Sequence, residues 1–299
     1  MGIPLYSIII PTYNRAEALR KALDSIERQT FRDYEVIVCD DGSTDHTEKA
    51  AHDFADRINV RYIRDENWGG PARPRNNGLK TASGKWICFL DSDDWWYPDK
   101  LEVVTRHLAS ADVVYHDLDI YTSDYLKTSK KCHARQLKTP VFADLMINWN
   151  AFPNSSAVVR KGILDKVGGL CEDKALIAVE DHDLWLRVAG ATDRFVYVRK
   201  NLGGYLSGCT SITEVSERQI QRMTALFAKH APLLSEDDRT RAKGFLDYAV
   251  GRVKLKMGKR AEAVALFKSA VFGGNFAVKC KSVLSLAEIG LSGPVSGRR

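Results

Sequence analysis

Cysteine is sparse, and its spacing carries no metal or redox signature. The six residues Cys39, Cys88, Cys132, Cys171, Cys209 and Cys280 are scattered, with no Cys-x-x-Cys pair. Cys39 and Cys88 lie in apolar runs, which reads as buried free thiols in a reducing, cytoplasmic setting rather than disulfides. Long hydrophobic runs are also missing, since no stretch approaches the roughly 18 residues of a membrane span. The run from Ile3 to Ile10 is short, contains Pro4 and lacks a basic leader, so it reads as a first strand rather than a signal peptide. No Gly-x-Gly-x-x-Gly follows a strand-like run, which argues against a dinucleotide dehydrogenase.

What is present is ordinary for a soluble globular protein: 44% hydrophobic and 27% charged residues in a chain of 299. That length suits one large α/β domain with a smaller appendage. The net charge of +6 is uneven, because residues 215–299 hold 16 Lys/Arg against 7 Asp/Glu. This basic end reads as a solvated helical face, or as a peripheral contact with anionic membrane. We expect no nucleic-acid partner.

Apolar runs alternate with helical patterns through the first two hundred residues. Strands are expected at Tyr6–Ile10, Glu35–Cys39, Val60–Ile63, Trp86–Leu90 and Val113–Tyr115. Helices are expected at Ala16–Glu27, Thr47–Arg57, Ala72–Ala82 and Asp99–Leu108. The alternation predicts βαβ units, an α/β fold and a mostly parallel sheet. Residues 120–140 are polar and read as a loop or hairpin. From about Glu214 the pattern is all-helical, and Gly251, Gly258, Ala263, Phe267 and Ala270 resemble one tetratricopeptide unit. The division expected is a catalytic domain over 1–213 and a helical extension over 214–299.

Chemistry concentrates at the strand ends. Asp91-Ser92-Asp93-Asp94 directly follows the run Trp86–Leu90. Clustered carboxylates resist ionising together unless a cation balances them, and a divalent metal shared with a phosphate is one such cation. The alternative is a turn in which Asp94 caps the next helix. Asp40 and Asp41 end another strand, before a turn that Gly42 permits, with Ser43 or Asp45 as caps. Pro11, Thr12 and Tyr13 follow strand one. Arg73 and Arg75 open a helix near Gly69 and Gly70, where a diphosphate or a structural carboxylate can be met. Glu180-Asp181-His182-Asp183 opens another helix. Adjacent acids there form either a general-base site or a first turn that complements the helix dipole. Trp95, Trp96 and Tyr97 can stack on sugar rings or fill the core.

Taken in order, these motifs resemble glycosyltransferase family 2, the inverting enzymes with the nucleotide-diphospho-sugar transferase (GT-A) fold, over roughly residues 5–210. The resemblance implies a donor that is a nucleotide-diphosphate sugar, UDP-linked by preference, and a glycan or glycolipid acceptor. It implies Pro11, Thr12, Tyr13, Asp41, Arg75, Asp91 and Ser92 around the donor, with Asp41 reading the base and Tyr13 stacking on it. It further implies Asp93 on Mn²⁺ or Mg²⁺, and Asp181, beside Glu180, as the base that deprotonates the acceptor. Pro74 stands where the family has a small residue, and Gly203–Ser211 lacks the His that many relatives carry. Cell-surface polysaccharide or lipopolysaccharide synthesis, at the inner face of the membrane, is the implied setting. A nucleotidyltransferase on a similar fold is the alternative, although the loop at residues 11–15 has no Gly for a triphosphate. A non-catalytic nucleotide-sugar-binding module is the other.

Overall fold

The computed structural model describes residues 2–132, 134–207 and 215–291. The chain divides into two compact units. One comprises residues 1–141 and 150–211, and the other residues 142–149 and 212–299.

The first unit is built on one sheet, of nine strands among the described residues. Its parallel half comprises β1 (Tyr6–Thr12), β2 (Tyr34–Asp40), β3 (Val60–Arg64) and β4 (Trp86–Phe89), in the order β3-β2-β1-β4. Every residue of β1 and β2 is buried, as a central parallel strand covered on both faces requires. Tyr6, Ile8 and Ile10 share a core with Leu19, Ala22, Leu23 and Ile26 of α1 (Ala16–Glu27). That three-and-four spacing gives α1 its apolar stripe. The helices α2 (Thr47–His52) and α3 (Ala72–Thr81) complete the βαβ units, with α4 (Lys100–Thr105) and α6 (Lys161–Val167) further along the chain. The helix expected to reach Arg57 ends at His52, and residues 53–57 continue as turns.

Beyond β4 the sheet becomes mixed. It continues through β8 (Val158–Arg160), β6 (Val113–Tyr121) and β9 (Phe195–Leu206) to β5 (Trp95–Trp96). β8 runs antiparallel to both β4 and β6, while β6 and β9 are parallel. The polar stretch after residue 120 forms a hairpin, with β7 (Lys127–Cys132) antiparallel to β6. Gly203 and Gly204 belong to β9, and they pair with Trp96 and Trp95. A Cβ on Gly204 would lie 2.4 Å from the Trp95 ring, so glycine is what lets the indole lie flat on the strand. Residues 208–214, including Cys209, lie outside the described residues.

The chain direction sets the site. β1 leads through α1 to β2 on one side, whereas β4 lies on β1's other side. The strand order therefore reverses between β1 and β4, and their carboxyl ends open a crevice where α/β sheets bind ligands.

The second unit is helical. It contains α8 (Glu217–His230), α9 (Glu236–Lys256), α10 (Arg260–Gly273) and α11 (Phe276–Leu291). Ser216 and Ser235 cap α8 and α9 by accepting from Gln219 N and Asp238 N. Acids fill the first turn of α9 and lysines its last, matching the helix dipole. Gly251 admits the Phe267 ring, and Ala263, Phe267 and Ala270 are fully buried. Most of α5 (Val141–Asn148) also belongs to this unit, which no single cut near residue 213 can represent. Trp149 stacks on Phe245 at 5.7 Å, and Asn275 Nδ2 donates to Asn148 Oδ1 at 2.7 Å.

Candidate active site

Two loops at the carboxyl ends of β1 and β2 are laced together by side chains. Asn14 sits at φ 49°, and its Oδ1 accepts from Thr44 N at 2.7 Å and Asp45 N at 3.3 Å. Asp45 caps two helices, accepting from Ala16 N and Thr47 N. Asp40 accepts from Ser43 N and Oγ and from Tyr62 OH, so it is a turn acid. Asp41 faces the opposite loop, accepting from Trp68 N at 2.8 Å and Gly69 N at 3.0 Å. Burial raises its pKa despite those donors. Immediately after Asp41, Gly42 turns at φ 83°.

Pro11 and Thr12 are the last two residues of β1 and do not follow it. Pro11 pairs with Cys39 of β2, beyond Ile9, the last β1 residue paired with β4, so its missing N–H costs no bond to β4. Thr12 is buried, and its Oγ1 has no hydrogen-bond partner among the described residues. Tyr13 leaves the strand with 46% of its surface exposed.

The acids after β4 face three different partners. Asp91 accepts from Arg75 at 2.5 Å and from Asn154 Nδ2 at 3.3 Å. Asp93 pairs with Arg15 and keeps a partly exposed side chain. Burial raises its carboxyl, Arg15 opposes the shift and Asp91 adds to it. Asp94 is not a helix cap. It is buried, accepting from Ser155 Oγ and from Leu206 N of β9. Burial, then the charges of Asp91 and Asp93, push it well above the usual carboxylate range. Ser92 is buried beneath them.

Arg75 does not stand open at a helix end for a diphosphate. It lies one turn into α3, 4% exposed, with one guanidinium nitrogen on Asp91 and the other 3.0 Å from Glu180 Oε1. Burial works against its charge, but Asp91 and Glu180 outweigh that and raise its pKa. Pro74 is tolerated because the first-turn N–H groups of a helix need no intrahelical acceptor. Asn76 and Asn77 pin the neighbouring loops. Asn76 exchanges bonds with Leu170, and Asn77 donates to Asp65. Arg73 instead packs over Trp68 at 4.9 Å and pairs with Asp65.

Glu180 and Asp181 open α7 (Glu180–Ala189). Leu184, Trp185 and Leu186 are fully buried, and Trp185 meets Phe89 of β4 at 6.2 Å. This packing brings the acids at the start of α7 to the crevice. Asp181 accepts from Asn150 Nδ2 at 3.1 Å and from His182 N at 2.7 Å. Burial, followed by the charge of Glu180, lifts its pKa to about 7. Glu180 Oε2 and Asn154 Oδ1 are buried without hydrogen-bond partners among the described residues. Acceptor oxygens left bare around Asp91 are capacity for a ligand's hydroxyls or a cation.

Asp91, Arg75, Glu180 and Asp181, from three separate motifs, thus form one charged network. Trp96 is core, donating to Ser155 O at 2.8 Å. Sequence reading missed Arg15, Trp68, Asn150, Asn154 and Ser155. Only Arg15, which directly follows the Pro-Thr-Tyr-Asn run, carried any signal.

Asp93 suits a divalent cation only as a minor ligand. Among the described residues, no three His, Cys, Asp or Glu side chains converge on one point. Mg²⁺ and Mn²⁺ are commonly held by one or two carboxylates, with substrate phosphate and water completing the shell. Asp93, with Asp91 beside it, fits that pattern.

The chain is similar to known proteins in sequence and in fold. Over 99 residues the chain is 41% identical to an Escherichia coli UDP-Glc:alpha-D-GlcNAc-diphosphoundecaprenol beta-1,3-glucosyltransferase, WfgD, covering 33% of this chain and 39% of that protein. The structure of S. aureus TarS 1-349 in complex with UDP-GlcNAc superposes with a TM-score of 0.67 at 18% identity, covering 92% of this chain and 83% of that one. A Pyrobaculum calidifontis mannosyltransferase in complex with GDP-Man and Mn²⁺ gives 0.63 at 20%, covering 98% and 82%. The fold is thus GT-A, a mixed sheet flanked by helices with a helical region at the carboxyl end. The description of Glycosyl transferase family 2 matches residues 7–168, more than half of the chain, which therefore belongs to that family and is a glycosyltransferase.

Proposed function

We propose that this glycosyltransferase moves a sugar from a UDP-linked donor to a hydroxyl of a glycan or glycolipid, inverting the anomeric carbon in one in-line displacement. The observation that carries the reading is Asp181. It is a carboxylate at the mouth of the crevice, oriented by Asn150 and poised near neutrality by burial. A general base works best with its pKa near the working pH. Asp181 takes the acceptor proton, and the neighbouring Glu180, fixed by Arg75, raises its basicity through its charge. Pro11, Thr12, Tyr13, Asp41, Asp91 and Ser92 surround the donor. Asp41 holds the Trp68–Gly69 loop, which supports a role in shaping the base pocket. Arg75 acts by aligning Asp91 and Glu180 rather than by binding phosphate.

Asp93 would contribute one ligand to a divalent cation, Mn²⁺ or Mg²⁺, which when bound would stabilise charge on the departing diphosphate. Calorimetry with UDP-, GDP- and dTDP-sugars in Mn²⁺, paired with nucleoside diphosphate release, tests donor and metal together. One UDP-sugar should bind and turn over, and Asp93→Ala should abolish its metal-dependent binding. Unchanged binding in that variant removes Asp93 as ligand, and absence of turnover with every donor overturns the reading.

A glycolipid acceptor places the enzyme on the inner face of the membrane. No described helix is long and apolar enough to cross one. The surface proposed for peripheral contact is on the second unit, where Phe272 and Phe276 are 84% and 82% exposed within a basic segment. A fully buried Phe contributes roughly 1.5–3 kcal/mol. Changing both to Ser should weaken sedimentation with phosphatidylglycerol-rich vesicles by at least about 10-fold. Equal binding of the double variant would exclude this surface.

A further inference from the structure

A second cleft lies on the first unit, apart from the network around Arg75. Its volume is about 310 Å³, and it is lined by Lys21, Asp24 and Arg28 of α1 together with Trp95, Tyr97 and Tyr125. Its walls are aromatic. Trp95 lies 4.6 Å from Tyr121 and 5.8 Å from Tyr125, and Lys21 Nζ sits 2.9 Å above the Tyr125 ring. Its rim is polar, with Asp24 and Arg28 paired at 2.9 Å. Tyr125, at the tip of the β6–β7 hairpin, adopts φ 59°. A left-handed backbone costs a non-glycine residue about 1–3 kcal/mol, and such strain tends to collect at ligand clamps. Here it accompanies a ring turned onto the cleft.

We propose that this cleft is a remote sugar-binding subsite for an oligosaccharide acceptor, with a pyranose ring on Trp95 and Tyr125 and its hydroxyls on Asp24, Arg28 and Lys21. Aromatic faces take the C–H surface of a sugar, while charged rims bind its hydroxyls. The cleft runs outward from the acids. Trp95 lies two residues beyond Asp93, while Lys21 to Arg28 lie five to twelve residues beyond Ala16, about 8–18 Å along α1 from the Arg15–Asp93 pair. A sugar that reaches the α1 rim therefore lies beyond the reacting one. The acceptor role rests on the glycosyl-transfer reading above.

The test is calorimetry of the full chain, without donor, against cellotetraose, chitotetraose and maltotetraose, with glucose and N-acetylglucosamine as monomers. At least one tetrasaccharide should bind, ten-fold or more tighter than its monomer. Tyr125→Asn, which tolerates positive φ, should weaken that binding at least ten-fold with an unchanged melting temperature. Lys21→Ala, at an exposed helix position, should weaken it in the same direction and serves if the first variant is unstable. No tetrasaccharide binding, or equal binding by both cleft variants, overturns the subsite. Donor turnover measured in parallel separates the two failures. Turnover without tetrasaccharide binding sinks the subsite alone, and binding without turnover on any donor sinks the acceptor role.

Discussion

Asp181→Asn should lower sugar transfer by about 10²–10⁴-fold, the usual contribution of a positioned base, while donor affinity stays within about two-fold. Asparagine preserves the shape and can still meet Asn150, but it cannot accept the acceptor proton. The pH profile distinguishes loss of a base from loss of structure. Burial raises Asp181 to about 7, so the basic carboxylate form is scarce below that value and dominant above it. Wild-type transfer should therefore climb with pH through about 7 and level off, and the variant's residual rate should lose that limb. Nucleoside diphosphate release measured from pH 5 to 9, with acceptor present, reads both. A variant turning over within about three-fold of wild type, or keeping the same limb, would show that the proton leaves by another route.

Arg75→Met should cost about 3–5 kcal/mol of folding stability, because removing one partner of a buried ion pair strands the charge left behind. Here two carboxylates, Asp91 and Glu180, lose their shared counter-ion at once. Denaturant titration at pH 8 measures it. A loss below about 1 kcal/mol at pH 8 would mean that the triad is not a structural joint. Arg75→Lys should recover part of the stability, since a point charge reaches one carboxylate where the planar fork spans two.

Several elements were legible because their signal is local. The stripe Leu19, Ala22, Leu23 and Ile26 defines α1 from spacing alone, and the structure gives it the expected bounds of Ala16–Glu27. Buried strands announced themselves as apolar runs, although β1 and β2 run on into Thr12 and Asp40. The carboxyl-terminal half of the sheet was harder to read. β5 is two residues long and β8 three, too short for periodicity, and Gly203-Gly204 in β9 has the composition of a turn. Trp95 makes that strand, because its indole needs the space that only glycine leaves.

The site divides in the same way. Sequence alone determined which acids exist, their order and their attachment to strand ends and helix starts, because charge clusters beside apolar runs are visible in one dimension. It placed Asp91, Asp93 and Asp181 in a single family pattern. It could not decide what each acid faces. Whether Arg75 binds a phosphate or two carboxylates depends on α7 packing its start against α3 on one face of the sheet, a contact 105 residues apart in the chain. Likewise Asp94 turns toward Leu206 and Ser155, while Asp93 turns toward Arg15. Adjacent residues on a tight turn point in different directions, and electrostatics then follows the neighbours each direction meets. Tertiary structure therefore assigned the roles, because pKa and pairing are properties of surroundings brought together only by folding.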